Sequence, residues 1–280
     1  MVAYRFCRPD DIPYLIRATN ECCNIHLPDH PPMTLADFHS EVRELNVWPS
    51  NCMVASAVSE PIAVCIATKR KKEVLIHRVA THPDHLRQGH GRHILNSLSQ
   101  KLAVLGPSRL IAQVPADRLD LCRFFEAAGY QKEITYHDFR LESPLPPLDS
   151  PDLIIPITVD ELLDNQVLNE DETDRSWERQ TATLINRKDQ LKGLALASPD
   201  QIEAFVLHRH NEKEGTREIV ALSAQTTFLP LLLRHFCRRE MIPLVIPKLS
   251  PQEISFSFLE SLGFQRGDEY IRYANTAKPL

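Results

Sequence analysis

One internal repeat constrains the fold of this chain more than any other feature of its sequence. The segment FFEAAGYQK begins at Phe124, and the segment FLESLGFQR begins at Phe258, 134 positions later. Each segment follows an apolar run that ends in proline, at Pro115 and at Pro247. Self-similarity in register, with matching elements around it, is typical of a duplicated fold. We therefore expect two copies of one fold in tandem.

The predicted elements follow a similar order in the two halves. Hydrophobic periodicity and capping residues over residues 1–142 predict a strand, two helices, three strands, a helix, a strand, a helix and a strand. Residues 143–152 are rich in proline and carry neither pattern, which predicts a stiff linker. The patterns resume over residues 153–280 and predict a second α/β domain.

Composition limits the classes of function. The chain has 280 residues, 43% of them hydrophobic and 25% charged, which are ordinary values for a globular protein. Its net charge of −5 argues against broad nucleic-acid binding, which needs a basic surface. We expect no membrane span and no signal peptide, since no apolar run reaches roughly 20 residues. The 7 cysteines are scattered, so we expect reduced thiols in a cytoplasmic protein.

A turn with two spaced glycines stands between a predicted strand and a predicted helix. The stretch HPDHLRQGHGRHIL holds Gly89 and Gly91, in a chain that has only 8 glycines. Backbone N–H groups at a helix start lack intrahelical partners, and the helix dipole places partial positive charge there. Glycines let a phosphate approach these groups, and Arg87 and Arg92 add cationic side chains. A tight bend without a ligand is the alternative use of such glycines.

This stretch resembles the central motif of the GNAT acyltransferases. In that family a strand is followed by [RQ]-x-x-G-x-[GA], which opens a helix and binds the pyrophosphate of acetyl-CoA. Gly89 and Gly91 match the motif, and Leu86 takes the place of the usual arginine or glutamine. The resemblance implies that the acetyl-CoA site comprises Val79, Ala80, Thr81, Arg87, Gln88, Gly89, His90, Gly91, Arg92 and Phe125.

The helix RLDLCRFFEAAGY is similar to a later segment of the same family. Phe124, Gly129 and Tyr130 match that segment, whereas Arg118 and Phe125 stand where asparagine and tyrosine are usual. The resemblance covers roughly residues 3–141. It implies two tandem GNAT-like domains, each with a central, mixed, mostly antiparallel twisted sheet flanked by helices.

The second half is similar to a degenerate copy of the first. The strand REIVALSA is followed by QTTFLPLLL, which contains no glycine. We therefore expect this half to lack the pyrophosphate loop and not to bind CoA in the manner of the family. Three roles stay open for it: covering the first half, shaping the substrate cleft, or forming a homodimer.

The resemblance implies transfer of an acetyl group from acetyl-CoA directly to an amine. Such a reaction needs a base, and His77 is the candidate, because an imidazole titrates near neutral pH. Strict alternation would place His77 on one strand face with Leu75, Val79 and Thr81. The alternative is a structural histidine that is hydrogen-bonded within the sheet.

Tyr136 is the candidate acid for the departing thiolate, because Phe125 cannot donate a proton. A half-buried strand aromatic is the alternative role of Tyr136. Histidines and cysteines such as Cys22 and His26 cluster without a recognised zinc spacing, so we predict no metal site.

We predict an N-acetyltransferase that acts on an amine. The sequence does not distinguish a small-molecule acceptor from a peptide acceptor. A non-catalytic CoA-binding or protein-interaction module that retains the fold is the alternative.

Overall fold

The structure is a computed structural model of the chain. It describes the following residues: 1–23, 26, 31–142, 154–169, 174–212, 214–223, 227–239 and 242–278. The predicted linker at residues 143–152 lies outside this set, and so does the segment at 224–226 that precedes the long helix of the second half.

Apart from one additional short helix in the second half, the strands and helices of the described residues follow the predicted order. The strands are β1 (Val2–Phe6), β2 (Met53–Ala57), β3 (Glu60–Lys69), β4 (Glu73–Thr81), β5 (Arg109–Pro115), β6 (Gln131–Leu141), β7 (Ile154–Ile157), β8 (Lys192–Ala197), β9 (Ile202–Asn211), β10 (Thr216–Leu222), β11 (Leu244–Leu249) and β12 (Gln265–Thr276). The α-helices are α1 (Ile12–Cys23), α2 (Leu35–Leu45), α3 (His90–Leu105), α4 (Leu119–Ala127), α5 (Val159–Asp164), α6 (Thr181–Asn186), α7 (Leu229–Arg239) and α8 (Phe256–Ser261).

Tertiary contacts divide the chain into two compact units. The first unit comprises Met1–Val114, Arg118–Glu133 and Arg272–Leu280; the second comprises Pro115–Asp117 and Ile134–Ile271. The units differ from the predicted segments 1–142 and 153–280 at their last strands. β6 belongs to the second unit from Ile134 onwards, and β12 belongs to the first unit from Arg272 onwards.

The sheet of the first unit places β1, β2, β3 and β4 side by side as antiparallel neighbours, and β5 joins β4 in parallel. Helices α1 and α2 bury apolar side chains, among them Leu15 and Phe38, against the face that carries Val64 and Ile66. Helix α3 buries Ile94, Leu95, Leu98 and Leu102. These residues recur three and four positions apart, the spacing of an amphipathic helix.

The second unit repeats this arrangement. β7, β8, β9 and β10 are antiparallel neighbours, β11 joins β10 in parallel, and β6 pairs with β11 in the antiparallel sense. The structure thereby confirms the predicted α/β class with mixed sheets flanked by helices. Sequence patterns missed α5, which has only 6 residues; its one signal is the capping box of Thr158 and Glu161.

Six cysteines are free thiols: Cys7, Cys22, Cys23, Cys52, Cys65 and Cys122. Burial raises the pKa of Cys7 and that of Cys52 to about 12, so neither thiol ionises at neutral pH. A thiolate is the nucleophilic form, and these side chains are therefore packing residues. Within the described ranges, no helix is long and apolar enough to cross a membrane.

Candidate functional site

The parallel strands β4 and β5 part halfway along their length. β4 pairs with β5 only over Glu73–Ile76, opposite Arg109–Ala112, although β4 itself continues to Thr81. On its other side, β4 stays paired with β3 as far as Thr81. The first unit therefore contains a gap that is bordered by the main chain of the last residues of β4.

The main chain of Val79 and Thr81 faces this gap. The N–H of His82 donates to the carbonyl of Ile62 on β3, at 2.8 Å. Because a trans peptide points its N–H and C=O in opposite directions, the Thr81 carbonyl points away from β3. Main-chain direction alternates along a strand, so the groups of Val79 also point away from β3. The ring of His26 contacts the Thr81 carbonyl, with Nε2 at 3.1 Å.

A β-bulge at His77 corrects the predicted alternation along β4. Ile66 pairs with Arg78, whereas the next residue of β3, Ala67, pairs with Ile76, so His77 is the extra residue. A bulge of this kind shifts all later side chains to the opposite face. Leu75 therefore does not share a face with Val79 and Thr81, and the predicted common face of these residues is wrong.

The bulge brings His77 and Arg78 to one carboxylate, that of Glu41 on α2. Arg78 donates two hydrogen bonds of 2.6 Å to the oxygens of Glu41. His77 Nε2 lies 3.6 Å from Glu41 Oε2, and each of these two side chains is 18% exposed. Burial raises the pKa of Glu41, but the adjacent His77 and the hydrogen-bonded guanidinium of Arg78 outweigh it and lower that pKa to about 2. Glu41 is thus an anion throughout the neutral range.

The start of α3 leaves its first-turn N–H groups available to an anion. Gly89 is the N-cap residue, with a φ of 86°, and the first helical bond runs from the His93 N–H to the Gly89 carbonyl. In the described part of the chain, no side chain caps this helix and no acidic residue lies in its first turn. A Cβ added at Gly89 would meet no atom within 4 Å. Arg87 and Arg92 are exposed beside it.

Gly91 has a different role, because it lies against neighbouring side chains. A Cβ at Gly91 would lie 3.1 Å from Phe124 Cε2 and 3.6 Å from Thr81 Oγ1. A side chain at this position would crowd the Phe124 ring, which would have to shift slightly. Gly91 therefore lets the start of α3 lie close to α4. His90, between the two glycines, is only 7% exposed.

Two predicted site residues lie in the protein core. Phe125 is 2% exposed, and its ring contacts those of Phe124, Tyr130 and Tyr273. The structure offers no exposed surface of Phe125 for a cofactor. Tyr136 is fully buried in the second unit, where its hydroxyl lies 3.5 Å from the carbonyl of Arg175. Its role as an acid stays a prediction.

Sequence reasoning missed Glu41, because the residue lies on another element, 36 positions from its partner His77. Helical periodicity predicts α2, and the same pattern indicates that Glu41 is one of several surface charges on that helix. Only the meeting of α2 with the bulge of β4 distinguishes it. Among the described residues, no three His, Cys, Asp or Glu side chains converge in the manner of a metal site.

The second unit fills its corresponding gap with an arginine. β10 pairs with β11 only at Arg217 and Glu218. The next carbonyl of β10, that of Ile219, accepts a hydrogen bond of 2.8 Å from Arg179. Arg179 is 1% exposed and also donates to both oxygens of Glu253, at 3.0–3.1 Å. A buried ion pair thus occupies the region where the first unit has its open main chain.

Comparison with known proteins agrees with this geometry. Residues 18–130 match the model of the Acetyltransferase (GNAT) family. The match contains the second half of α1, the gap strand β4, the glycine turn, α3 and the whole of α4. No curated protein matches the chain.

Solved structures resemble the chain over its whole length. A GCN5-related N-acetyltransferase from Sphaerobacter thermophilus is similar over 99% of this chain and 96% of its own, with a TM-score of 0.67 and 15% identity. A tandem GNAT protein of the clavulanic acid biosynthesis pathway is similar over 100% of both chains, with a TM-score of 0.62 and 13% identity. A GCN5-related N-acetyltransferase from Anabaena variabilis covers 99% of this chain and 73% of its own, with a TM-score of 0.65 and 12% identity. At these identities the likeness establishes the fold, which is that of tandem GNAT proteins.

Proposed function

We propose that the first unit, in which residues 18–130 match the model of the GNAT acetyltransferase family, transfers an acetyl group from acetyl-CoA to an amine. The uncapped start of α3 carries the proposal, because its free N–H groups, Gly89 and the flanking Arg87 and Arg92 suit a pyrophosphate. The gap-facing main chain at Val79 and Thr81 suits the amide groups of the pantetheine arm.

His77 takes the role of general base in this proposal. Its Nε2 faces the Glu41 carboxylate, which favours a proton on Nε2, and in this mechanism Nδ1 is the nitrogen that accepts the proton of the amine. The amine nitrogen forms a bond to the thioester carbon, and the carbon–sulfur bond breaks. A gap-facing N–H of β4 stabilises the negative charge on the carbonyl oxygen. The CoA thiolate leaves with the bonding pair and takes a proton from solvent, since a thiol pKa is about 8.5.

The second unit does not bind the acyl donor in this account. Arg179 and Glu253 occupy the region between β10 and β11, and the sequence before α7 has no glycine. One chain therefore holds one donor site. The free thiols of the described residues accord with a cytoplasmic location, which we include in the proposal.

Replacing His77 by glutamine is expected to lower kcat by about a hundredfold, the usual contribution of a positioned base. The KM for acetyl-CoA should change by less than about twofold, because His77 lies on β4 away from the start of α3. Release of CoA thiol, followed with a disulfide reagent across a panel of primary amines, measures both constants. The exposed His39 on α2 provides the matched control, and His39→Gln should behave as wild type.

Amine-dependent release of CoA that survives unchanged in the His77→Gln protein would remove this residue from the mechanism. Binding of acetyl-CoA without amine-dependent release for any amine would instead favour the non-catalytic module, which keeps the donor site but performs no transfer.

A further inference from the structure

A chain of three hydrogen bonds connects β1 to the turn before α3. The Tyr4 hydroxyl lies 2.6 Å from His90 Nδ1. His90 Nε2 lies 3.4 Å from the side-chain oxygen of Gln88. The Gln88 amide nitrogen lies 3.3 Å from the carbonyl of Asp84. Residues from β1, from α3 and from both ends of the turn thus contact one another through side chains.

The donors and acceptors of this chain have one consistent direction. The Gln88 amide nitrogen can only donate to the Asp84 carbonyl, so its oxygen faces His90. An amide oxygen only accepts, and His90 Nε2 must therefore carry the proton. Nδ1 of a neutral imidazole is then an acceptor, and the Tyr4 hydroxyl donates to it. With this direction, His90 is neutral and the Tyr4 hydroxyl is the donor.

We propose that Tyr4 and His90 are positioning residues for the phosphate-binding turn, holding the N–H groups at the start of α3 in the geometry that the acyl donor meets. The inference rests on the proposed function of that turn. The turn contains two residues in the left-handed region, Arg87 with a φ of 58° and Gly89 with a φ of 86°. Such backbone persists where surrounding contacts fix it. Gln88, between these residues, is the one that the hydrogen-bond chain holds.

The ring of Tyr4 adds a second contact with the same helix turn. Its centroid lies 3.9 Å from that of His93, the residue whose N–H makes the first bond of α3. The phenol therefore contacts both histidines of the first turn, one through its hydroxyl and the other through its ring. Replacing Tyr4 by phenylalanine keeps the ring contact and removes only the hydrogen bond.

Protonation of His90 would reverse only its bond with Tyr4, because Nδ1 would then donate to the phenolic oxygen, while Nε2 would still donate to Gln88. Burial, together with the neighbouring His85 and His93, lowers the pKa of His90 from its ordinary value. Neutral His90 therefore predominates at neutral pH, where the Tyr4 hydroxyl is the donor of their hydrogen bond. The groups that face His90 are Tyr4 from β1, Gln88 from the turn, His85 from the preceding 3-10 turn and His93 from α3.

Tyr4→Phe is expected to raise the Kd for acetyl-CoA about three- to tenfold, which corresponds to the loss of one hydrogen bond. Its kcat should stay within about twofold of wild type. Both Kd values are measured at about pH 8, where His90 is neutral. Gln88→Ala should give a similar loss, and the double variant should lose little more.

Tyr14→Phe is the matched control, because its hydroxyl donates to the exposed carbonyl of Ser59, at 3.3 Å, away from the turn. Deuterium exchange of the peptide covering residues 86–92, without any ligand, provides a second readout. Faster exchange in Tyr4→Phe and not in Tyr14→Phe supports the inference. Equal exchange and equal Kd in wild type, Tyr4→Phe and Tyr14→Phe overturn it. Absence of acetyl-CoA binding by wild type overturns the proposed function itself.

Discussion

Replacing Gly89 by aspartate is expected to weaken acetyl-CoA binding by about a hundredfold or more, whereas asparagine at the same position should cost far less. Asparagine and aspartate have almost the same shape, and both tolerate the left-handed conformation better than other residues. Gly89 has a φ of 86°, and a Cβ there meets no atom within 4 Å. The two variants therefore share any backbone strain and differ in one negative charge.

That charge would lie where the proposed function places the pyrophosphate. Two unit charges about 5 Å apart interact with about 3 kcal/mol at an effective dielectric constant of about 20, which corresponds to a factor of a hundred or more. Calorimetric titration of the Gly89→Asp and Gly89→Asn proteins with acetyl-CoA measures the difference, and raised salt should reduce it. Equal affinities for the two variants would mean that no phosphate lies at the start of α3.

Replacing Arg179 by methionine is expected to destabilise the second unit by about 3–5 kcal/mol, because it leaves the buried carboxylate of Glu253 without its main partner. Glu253 is 5% exposed, and Arg179 supplies three of its hydrogen bonds. Arg175 Nε, at 3.5 Å, and the Ser250 N–H, at 3.2 Å, remain beside the carboxylate. These contacts do not replace the guanidinium of Arg179.

The two tryptophans of the chain make this loss measurable in the second unit alone. Trp177 is fully buried two residues before Arg179, whereas Trp48 of the first unit is 53% exposed. In a Trp48→Phe background, the fluorescence of Trp177 follows unfolding of the second unit in urea. Arg266→Met is the control, since Arg266 and Glu260 form an exposed pair worth about 0–1 kcal/mol.

A double variant, Arg179→Met with Glu253→Met, separates the buried charge from packing. Removing both members of a buried pair is usually less costly than removing one. We therefore expect the double variant to be more stable than Arg179→Met alone. A loss in Arg179→Met as small as that of Arg266→Met would show that the pair in the second gap contributes little to folding.

Local patterns predicted the elements that position the candidate site. Strand β4, the glycine turn and α3 follow from an apolar run, two glycines and a helical period, and each signal lies within a few residues of the element it predicts. The repeat around Phe124 and Phe258 likewise predicted a second unit with the same strand order. These features can be predicted from the sequence because each depends on residues that are neighbours in the chain.

Features that depend on contacts between distant residues could not be predicted from the sequence. Alternation placed His77 on a face with Leu75, and the bulge opposite Ile66 and Ala67 changed it, because a bulge arises from pairing and not from periodicity. The partner Glu41 becomes distinctive only when α2 packs on β4.

The assignment of strand β12 to a unit also depends on distant residues. The patterns assign all of β12 to the second half, yet the strand from Arg272 onwards belongs to the first unit. There, the ring of the fully buried Tyr273 stacks on that of Phe125, with the ring centroids 6.0 Å apart. The Tyr273 hydroxyl donates to Glu126 Oε1 at 3.0 Å. Such a contact joins residues about half the chain apart, and no local pattern signals it.

Calorimetric titration of the wild-type chain with acetyl-CoA tests the central claim most directly. One donor site in the first unit, and a second gap filled by Arg179, together predict saturable binding of about one molecule per chain. Binding of about two molecules per chain would contradict the closed second gap. The binding enthalpy can pass through zero at one temperature, so the titration is run at two well-separated temperatures. No saturable heat at either temperature would contradict the donor site at Gly89.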